Sequence, residues 1–302
     1  MTKIKIWLAA ARLRTLPLSI SGILVGAGLA GFYGYYDSTI FILALFTTIG
    51  FQVTSNFAND YGDGIKGTDD HDRLGPKRAY QSGHLSRREL KNGIIGSIAI
   101  DFLLVLALMY FSFEKEHLIY VALFIVLGVA SIWAAIAYTV GRSAYGYKGL
   151  GDVFVFLFFG LLGVLGSMFL FTKFLTPASF FPAAAIGLLS TGVLNLNNLR
   201  DYTSDKRTGK NTLVVLFGLD WGKKYHYILL VAAFLCILIF TWLHFQRWTQ
   251  LLQFVAFIPI LLHLIRVSRT RDPRLIDPEL KKLALSTFLL AVLFCLGYGY
   301  LN

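Results

Sequence analysis

Charged side chains are scarce in this 302-residue chain: Asp, Glu, Lys and Arg make up 15% of it, against 56% hydrophobic residues and a mean hydropathy of +0.64. That excludes an ordinary soluble domain, whose charged fraction lies nearer a quarter. Cysteine is almost absent, and the two present, Cys236 and Cys295, both fall inside apolar runs, so a disulfide framework is not expected. No low-complexity tract, long linker or polar stretch of domain size interrupts the chain, and residues 1–302 read as a single polytopic membrane domain. The glycines of "YTVGRSAYGYKGLGD" match no nucleotide-binding motif, because no strand-helix unit surrounds them. The first apolar run, "LPLSISGILVGAGLAGFYG", lacks a cleavage pattern and is too long for a signal-peptide core, so it is expected to stay in the mature protein.

What the chain has in abundance is apolar length. A hydrocarbon core about 30 Å thick needs roughly 20 apolar residues per helix. Runs of that order recur near 16–34, 39–58, 93–113, 117–140, 150–172, 178–197, 226–245, 249–266 and 283–301. The spacing predicts an all-α integral membrane protein, a bundle of about nine transmembrane helices. Ahead of the first, "KIKIWLAAARLR" is short, basic and amphipathic, suited to the bilayer surface. The formal charge is +11, but its distribution explains it. With the N-terminus inside, all Lys and Arg residues except Lys115, Lys173 and Arg247 fall in cytoplasmic segments, the asymmetry that orients membrane proteins. The basicity is thus mainly topological; the lipid bilayer is the expected partner and nucleic acid is not.

Two acidic segments close apolar runs, "NFANDYGDGIKGTDD" from Asn56 and "NLNNLRDYTSDKRTGKNT" from Asn195. Asn56, Asp60 and Tyr61 recur as Asn197, Asp201 and Tyr202 at an offset of 141, while an offset of 138 pairs Asn59 with Asn197 and Asp63 with Asp201. The sequence shows a duplication in two competing registers. Four spans separate the copies, so the repeats run parallel and both acidic segments reach the cytoplasmic side. If span 2 stays helical to its end, Asn56, Asn59, Asp60 and Asp63 share one face.

These could be residues that merely mark where helices leave the bilayer. A helix C-terminus, however, disfavours carboxylates, and clustered carboxylates repel unless a cation compensates them. Oxygen donors without interleaved His or Cys suit Mg²⁺ or Ca²⁺ rather than zinc. Lys66, Arg73, Lys77 and Arg78 follow the first segment and Lys206, Arg207 and Lys210 the second, so acids and bases together resemble a metal-diphosphate cradle. The loop between spans 4 and 5 adds Arg142, Lys148 and the hydroxyls of Tyr138, Tyr145 and Tyr147, with four glycines that permit close backbone approach. Each of these could equally be an interfacial or positive-inside residue. Asp101, in span 3, is a buried acid or an interfacial one.

With these motifs in view, the chain resembles the UbiA-type membrane prenyltransferase superfamily along nearly its whole length. The first family signature, Asn-Asp-x-x-Asp-x-x-x-Asp, is met by Asn59, Asp60 and Asp63, with Gly67 in place of the last aspartate; Asp69 or Asp70 could substitute. The second, Asp-x-x-x-Asp, is met by Asp201 and Asp205. "NDYGDGIKGTD", "YTVGRSAYGYKGLGDVFVFLFFG", "NNLRDYTSDKRTGKNTL" and "RLRTLPLSISGILVG" are similar to the branch that prenylates a dihydroxynaphthoate in menaquinone synthesis.

The resemblance implies a helical bundle around a central cavity, polar cytoplasmic loops over its mouth, and a bacterial cytoplasmic (inner) membrane. It implies Mg²⁺-dependent transfer of a polyprenyl group from its diphosphate, with loss of CO₂ from the acceptor. Asp60, Asp63, Asp201 and Asp205, assisted by Asn59 and Asn197, would hold the metal. Lys66, Arg73, Arg142 and Lys210 are the candidates for the diphosphate, and Arg14 could meet the acceptor carboxylate or act as a snorkelling anchor. Asp152 is the nearest candidate for a protein base, if one is used, or else caps span 5. Two alternatives stand beside this reading: another aromatic acceptor, such as 4-hydroxybenzoate or homogentisate, and a cation-coupled transporter.

Overall fold

The computed structural model describes residues 2–67, 78–113, 117–141 and 144–300. Among them there is no strand, and nine helices are long and apolar enough to cross a membrane. We number these spans 1 to 9: Lys3–Phe32, Ser38–Lys66, Arg87–Ser112, Leu118–Ala137, Gly151–Thr172, Pro177–Arg200, Leu219–His244, Trp248–Arg269 and Pro273–Gly299. The nine apolar runs each become one span. Several helices nevertheless outrun the apolar stretch that announces them: span 2 continues to Lys66, span 3 begins at Arg87, and span 7 begins at Leu219. Hydropathy marks where lipid would lie, whereas backbone hydrogen bonding carries a helix on into polar surroundings.

Local chemistry sets the helix ends. The Asp37 carboxylate accepts the N–H groups of Thr39 and Ile40 at the start of span 2, at 2.8 and 3.0 Å, and Ser86 with Glu89 forms a capping box on span 3. Span 2 stops at Gly67, whose φ of 67° is left-handed, a backbone conformation that favours glycine. The substitution in the family signature therefore coincides with a helix terminator. Within span 1, a first helix Lys3–Ala11 ends where Arg12 turns at φ 50°. It seats Trp7 edge-on against Phe57 at 5.1 Å and leaves Ile4 and Leu8 exposed.

Small residues let the helices close up. A Cβ on Gly160 would lie 2.6 Å from the Cα of Gly187, so spans 5 and 6 touch backbone to backbone. Beside this contact, Phe156–Gly166 winds as a π-helix, a rare form that is frequent at functional sites. Large side chains such as Ile100, Leu103, Trp133, Ile228 and Trp242 point outward, the arrangement expected of a bundle solvated by lipid.

The two halves are packed differently. Spans 6 to 9, joined by Val25 and Leu29 of span 1 and Val164 and Met168 of span 5, form a core in which Phe240, Phe294 and Tyr298 are fully buried. A chain of buried polar groups ties spans 7, 8 and 9: His226 Nε2 lies 2.9 Å from His263 Nε2, and His263 Nδ1 lies 2.9 Å from Glu279. Spans 1 to 5 instead enclose a cavity of about 350 Å³. The central cavity expected of the bundle is thus present, but it belongs to the first half. A wholly apolar groove between Leu123–Leu127 and Leu157–Phe169 shares Phe124, Leu127, Phe158, Leu162 and Gly166 with its wall.

Candidate active site

Asn56, Asn59, Asp60 and Asp63 stand on one face of span 2, as the spacing requires, and Asn56, Asp60 and Asp63 are buried. Two segments beyond the span engage them. The Asp60 carboxylate accepts the N–H groups of Ala79 and Tyr80 at 3.1 and 3.4 Å, with Arg12 and Arg78 within Coulombic reach. Arg78 Nη1 donates to Asp63 at 2.5 Å and to the Asn59 carbonyl at 2.7 Å. The other Asp63 oxygen accepts the Tyr147 hydroxyl at 2.6 Å. The Asn59 side-chain oxygen accepts from Thr139 at 3.2 Å, and Asn59 also forms part of the cavity wall.

The second segment departs from a straight helix. Span 6 ends at Arg200, Asp201 takes a non-helical conformation, and a short helix Tyr202–Arg207 follows. At this break Arg200 turns back on its neighbour: Nε and Nη2 donate to the two Asp201 oxygens at 2.8 and 2.7 Å, the paired geometry a guanidinium favours. Nη2 also reaches Asn197 at 2.8 Å, and Nη1 reaches Asp277 at 2.5 Å.

Asp205 is held differently. Lys210 approaches one oxygen at 3.7 Å, while the other, Oδ2, is buried without a hydrogen-bond partner. Burial pushes its carboxyl up to about 6; Lys210 and Arg200 oppose this, and Asp201 and Asp63 add to it. Burial also works against the charge of Lys210, but Asp205, Tyr138, Asp63 and Asp201 together hold its ammonium above the ordinary lysine range.

The structure therefore brings the two acidic segments face to face, with Lys210 between them. Tyr147 joins them: its hydroxyl is on Asp63, its carbonyl accepts the Asn211 N–H at 3.2 Å, and its ring carries Lys66 at 4.0 Å and Lys210 at 5.8 Å. The glycines of this loop serve that closure. Gly149, at φ 74°, lies against Asn211 and Leu213, so what they allow to approach is the second acidic segment.

Burial also distinguishes the repeat registers. At offset 138 the buried positions 54, 57, 58, 60, 62 and 63 fall on buried 192, 195, 196, 198, 200 and 201, and half-buried Asn59 falls on half-buried Asn197. Buried Asn56 falls on a half-buried position at either offset, but at offset 141 buried Gly62 and Asp63 also fall on positions that are not buried.

Other candidates lie further out. Arg14 and Lys148 are exposed. Tyr145 is buried, its hydroxyl donating to the Ala134 carbonyl at 2.8 Å, so it offers the cavity a ring and not a hydroxyl. Burial holds the Tyr138 phenol above its ordinary range, and Tyr138 lines the cavity where it meets the charged groups. Arg73 and Arg142, like Asp69, Asp70, Asp72 and Lys77, lie outside the described residues. Asp152 is buried at the start of span 5, hydrogen-bonded by Tyr225, with Oδ1 unpartnered. Asp101 is fully buried and accepts from Thr54 at 2.6 Å, away from the cavity wall.

Arg200 was not singled out from sequence, since neighbours in a regular helix do not face each other. Arg78 was one basic residue among several, with no periodicity to select it.

Among the described residues, no three His, Cys, Asp or Glu side chains converge as a ready-made metal site. The donor set still fits a hard divalent cation. It is all oxygen, and the buried Asp205 Oδ2 and Asn198 Oδ1 atoms lack hydrogen-bond partners among the described residues.

Residues 19–290 match the UbiA prenyltransferase family. The chain is 42% identical to the 1,4-dihydroxy-2-naphthoate octaprenyltransferase of Escherichia coli (strain K12), over 98% of this chain and 96% of that protein. It is 43% identical to the enzyme of the same name from Haemophilus influenzae, over the same shares. Among solved structures, a UbiA homolog from Archaeoglobus fulgidus bound to DMAPP and Mg²⁺ matches with a TM-score of 0.60 at 16% identity, covering 93% of this chain and 98% of that one. At that identity the likeness concerns the fold.

Proposed function

The chain belongs to the UbiA prenyltransferase family, and from that membership we infer that it transfers a polyprenyl group from polyprenyl diphosphate to 1,4-dihydroxy-2-naphthoate, releasing diphosphate and CO₂. The observation that carries the choice of acceptor is the 42–43% identity, along nearly the full chain, to two enzymes named for that reaction. The geometry is consistent with it: a charged cradle opens, past Asn59 and Tyr138, into an apolar cavity.

The polar head of one substrate and its apolar tail have separate places here. The diphosphate lies between the acidic segments, where Lys66, Arg78 and Lys210 neutralise its oxygens. Asp60, Asp63, Asp201 and Asp205, with Asn59 and Asn197, are the residues that would hold Mg²⁺. When bound, that cation supplies Lewis-acid stabilisation of the charge growing on the leaving diphosphate, an interaction worth several kcal/mol. Tyr147 orients Asp63, and Arg200 orients Asp201, so these carboxylates cannot swing away as the charge shifts. The allylic carbon projects past Asn59 into the cavity, and the isoprenoid continues between Phe51, Met109, Phe124 and Leu170.

As the allylic C–O bond breaks, the carboxylate-bearing carbon of the naphthoate attacks the allylic cation. Loss of the carboxylate as CO₂ returns the electron pair to the ring. Carbon and charge balance without a protein base, so Asp152 has no required step. The acidic segments face the cytoplasm in this reading, in a bacterial inner membrane, because they share one end of the bundle with most of the basic residues.

The test is the mass of the product formed by membranes containing the protein, given Mg²⁺, a polyprenyl diphosphate and one acceptor at a time. A prenylated, decarboxylated naphthoquinol is expected. Prenylation of 4-hydroxybenzoate or homogentisate with none of dihydroxynaphthoate would sink the acceptor assignment.

A further inference from the structure

The wall of the cavity is mainly apolar; Thr47, Thr48, Ser131 and Ser167 also line it, with Thr47, Ser131 and Ser167 donating to backbone carbonyls, and its charged end carries Ser19 of span 1 and Gln52, Ser55 and Asn59 of span 2. Gln52 lies two turns below Asn59 on the same helix, roughly 10 Å along the axis. Its amide is oriented from behind. Asn56 is buried, and its Nδ2 donates to the Ala11 carbonyl at 2.8 Å and to the Thr15 hydroxyl at 3.2 Å. Both amide hydrogens of Asn56 are thereby used, and its oxygen is presented to Gln52 Nε2 at 3.3 Å. Gln52 Oε1 in turn accepts the hydroxyl proton of Ser19.

This chain leaves a defined remainder. Among the described residues, one Nε2 hydrogen of Gln52 and the lone pairs of Ser19 Oγ stay uncommitted, a donor beside an acceptor on two cavity-lining residues. A polar pair left facing an apolar cavity is costly unless something meets it. An isoprenoid chain has no hydrogen-bonding atom, and a diphosphate calls for cations, which this part of the wall lacks. Of the two substrates, only a phenolic acceptor can accept from Gln52 and donate to Ser19 through a single hydroxyl.

We propose that Gln52 and Ser19 form the acceptor-reading pair of this enzyme, binding one ring hydroxyl of a hydroxylated aromatic acceptor and so holding its ring against the allylic carbon. Asn56 is the positioning residue behind them. The inference deepens the functional reading above and rests on its transfer to a phenolic ring.

The experiment measures KM for each substrate in the wild type and in Gln52→Leu, Ser19→Ala and Ser19→Thr variants in detergent, together with their melting temperatures. Gln52→Leu and Ser19→Ala are each expected to raise the acceptor KM about tenfold, the scale of one lost hydrogen bond, with the KM for polyprenyl diphosphate unchanged. Ser19→Thr, which keeps the hydroxyl, restores most of the loss. An acceptor analogue lacking the recognised hydroxyl should bind the wild type and Gln52→Leu equally poorly, because the two deletions remove one interaction. An unchanged acceptor KM in folded Gln52→Leu protein overturns the proposal, as does a parallel rise in both KM values. Failure of the wild type to take dihydroxynaphthoate would overturn only the acceptor identity; the same comparison is then made with whichever phenol it does prenylate.

Discussion

Asp205 differs from the other three signature carboxylates in what faces it. Asp60 has two backbone N–H donors, Asp63 has Arg78 and Tyr147, and Asp201 has both arms of Arg200. Among the described residues Asp205 has one ion pair, with Lys210 at 3.7 Å, a more distant Arg200, and a buried bare oxygen. The residue with least compensation has most to gain from a cation. Asp205→Asn, nearly isosteric, should lower kcat by about 10²–10³-fold, comparable to loss of one electrostatic contact to a developing anion, while the protein still elutes as a folded species. Retention of more than a tenth of wild-type turnover would remove Asp205 from the metal set. Tyr147→Phe deletes the hydroxyl on Asp63 but keeps the ring under Lys66 and Lys210. A loss of about tenfold in apparent Mg²⁺ affinity is expected, the usual scale for a group that orients a ligand, and titration of activity against Mg²⁺ measures it.

At the scale of elements, the cavity depends on how closely span 5 is held away from span 4. Gly160 presses on Gly187 of span 6, and a Cβ on Gly22 of span 1 would meet the Phe159 carbonyl at 2.9 Å. These contacts draw the π-helical stretch toward spans 1 and 6, and its opposite side, Phe158 and Leu162, is left to line the cavity and groove. Gly160→Leu forces two backbones apart, and overpacking of this kind costs about 1–3 kcal/mol or more. The expected outcome is a lowered melting temperature in detergent and loss of activity together. An undiminished melting temperature would mean that the two helices do not rely on that contact.

For the whole molecule, the parallel repeat gives two copies of one orientation, but packing divides the bundle one span later than the repeat does, into spans 1 to 5 and spans 6 to 9, with unequal contents. The first half is hollow and holds the cavity. The second is filled by Phe240, Phe294, Tyr298 and the His226–His263–Glu279 chain, and contributes its acidic segment to the mouth of the first. Both segments must then lie on one side of the membrane. In a Cys236→Ala, Cys295→Ala background, a membrane-impermeant maleimide should label Tyr36→Cys but not Lys206→Cys in sealed right-side-out vesicles, and both after the vesicles are opened. The reverse pattern in sealed vesicles would invert the proposed orientation.

The sequence by itself determined the helical class, a span count of about nine, the recurrence of the two acidic segments and the resemblance to the family. Those follow from apolar run length and from motif spacing, both local properties of the chain. It left Gly67 as a gap in a signature, where the backbone shows a left-handed helix end, and it left the repeat in two registers that only burial separates. Tertiary structure alone decided that Arg200 turns back on Asp201 at a helix break, that Arg78 returns to Asp63 from fifteen residues downstream, and that Tyr147 bridges the two segments. It also decided which half is hollow. The physical reason is common to all four: each depends on contacts between groups distant in sequence or across a break in helical geometry, where periodicity carries no information.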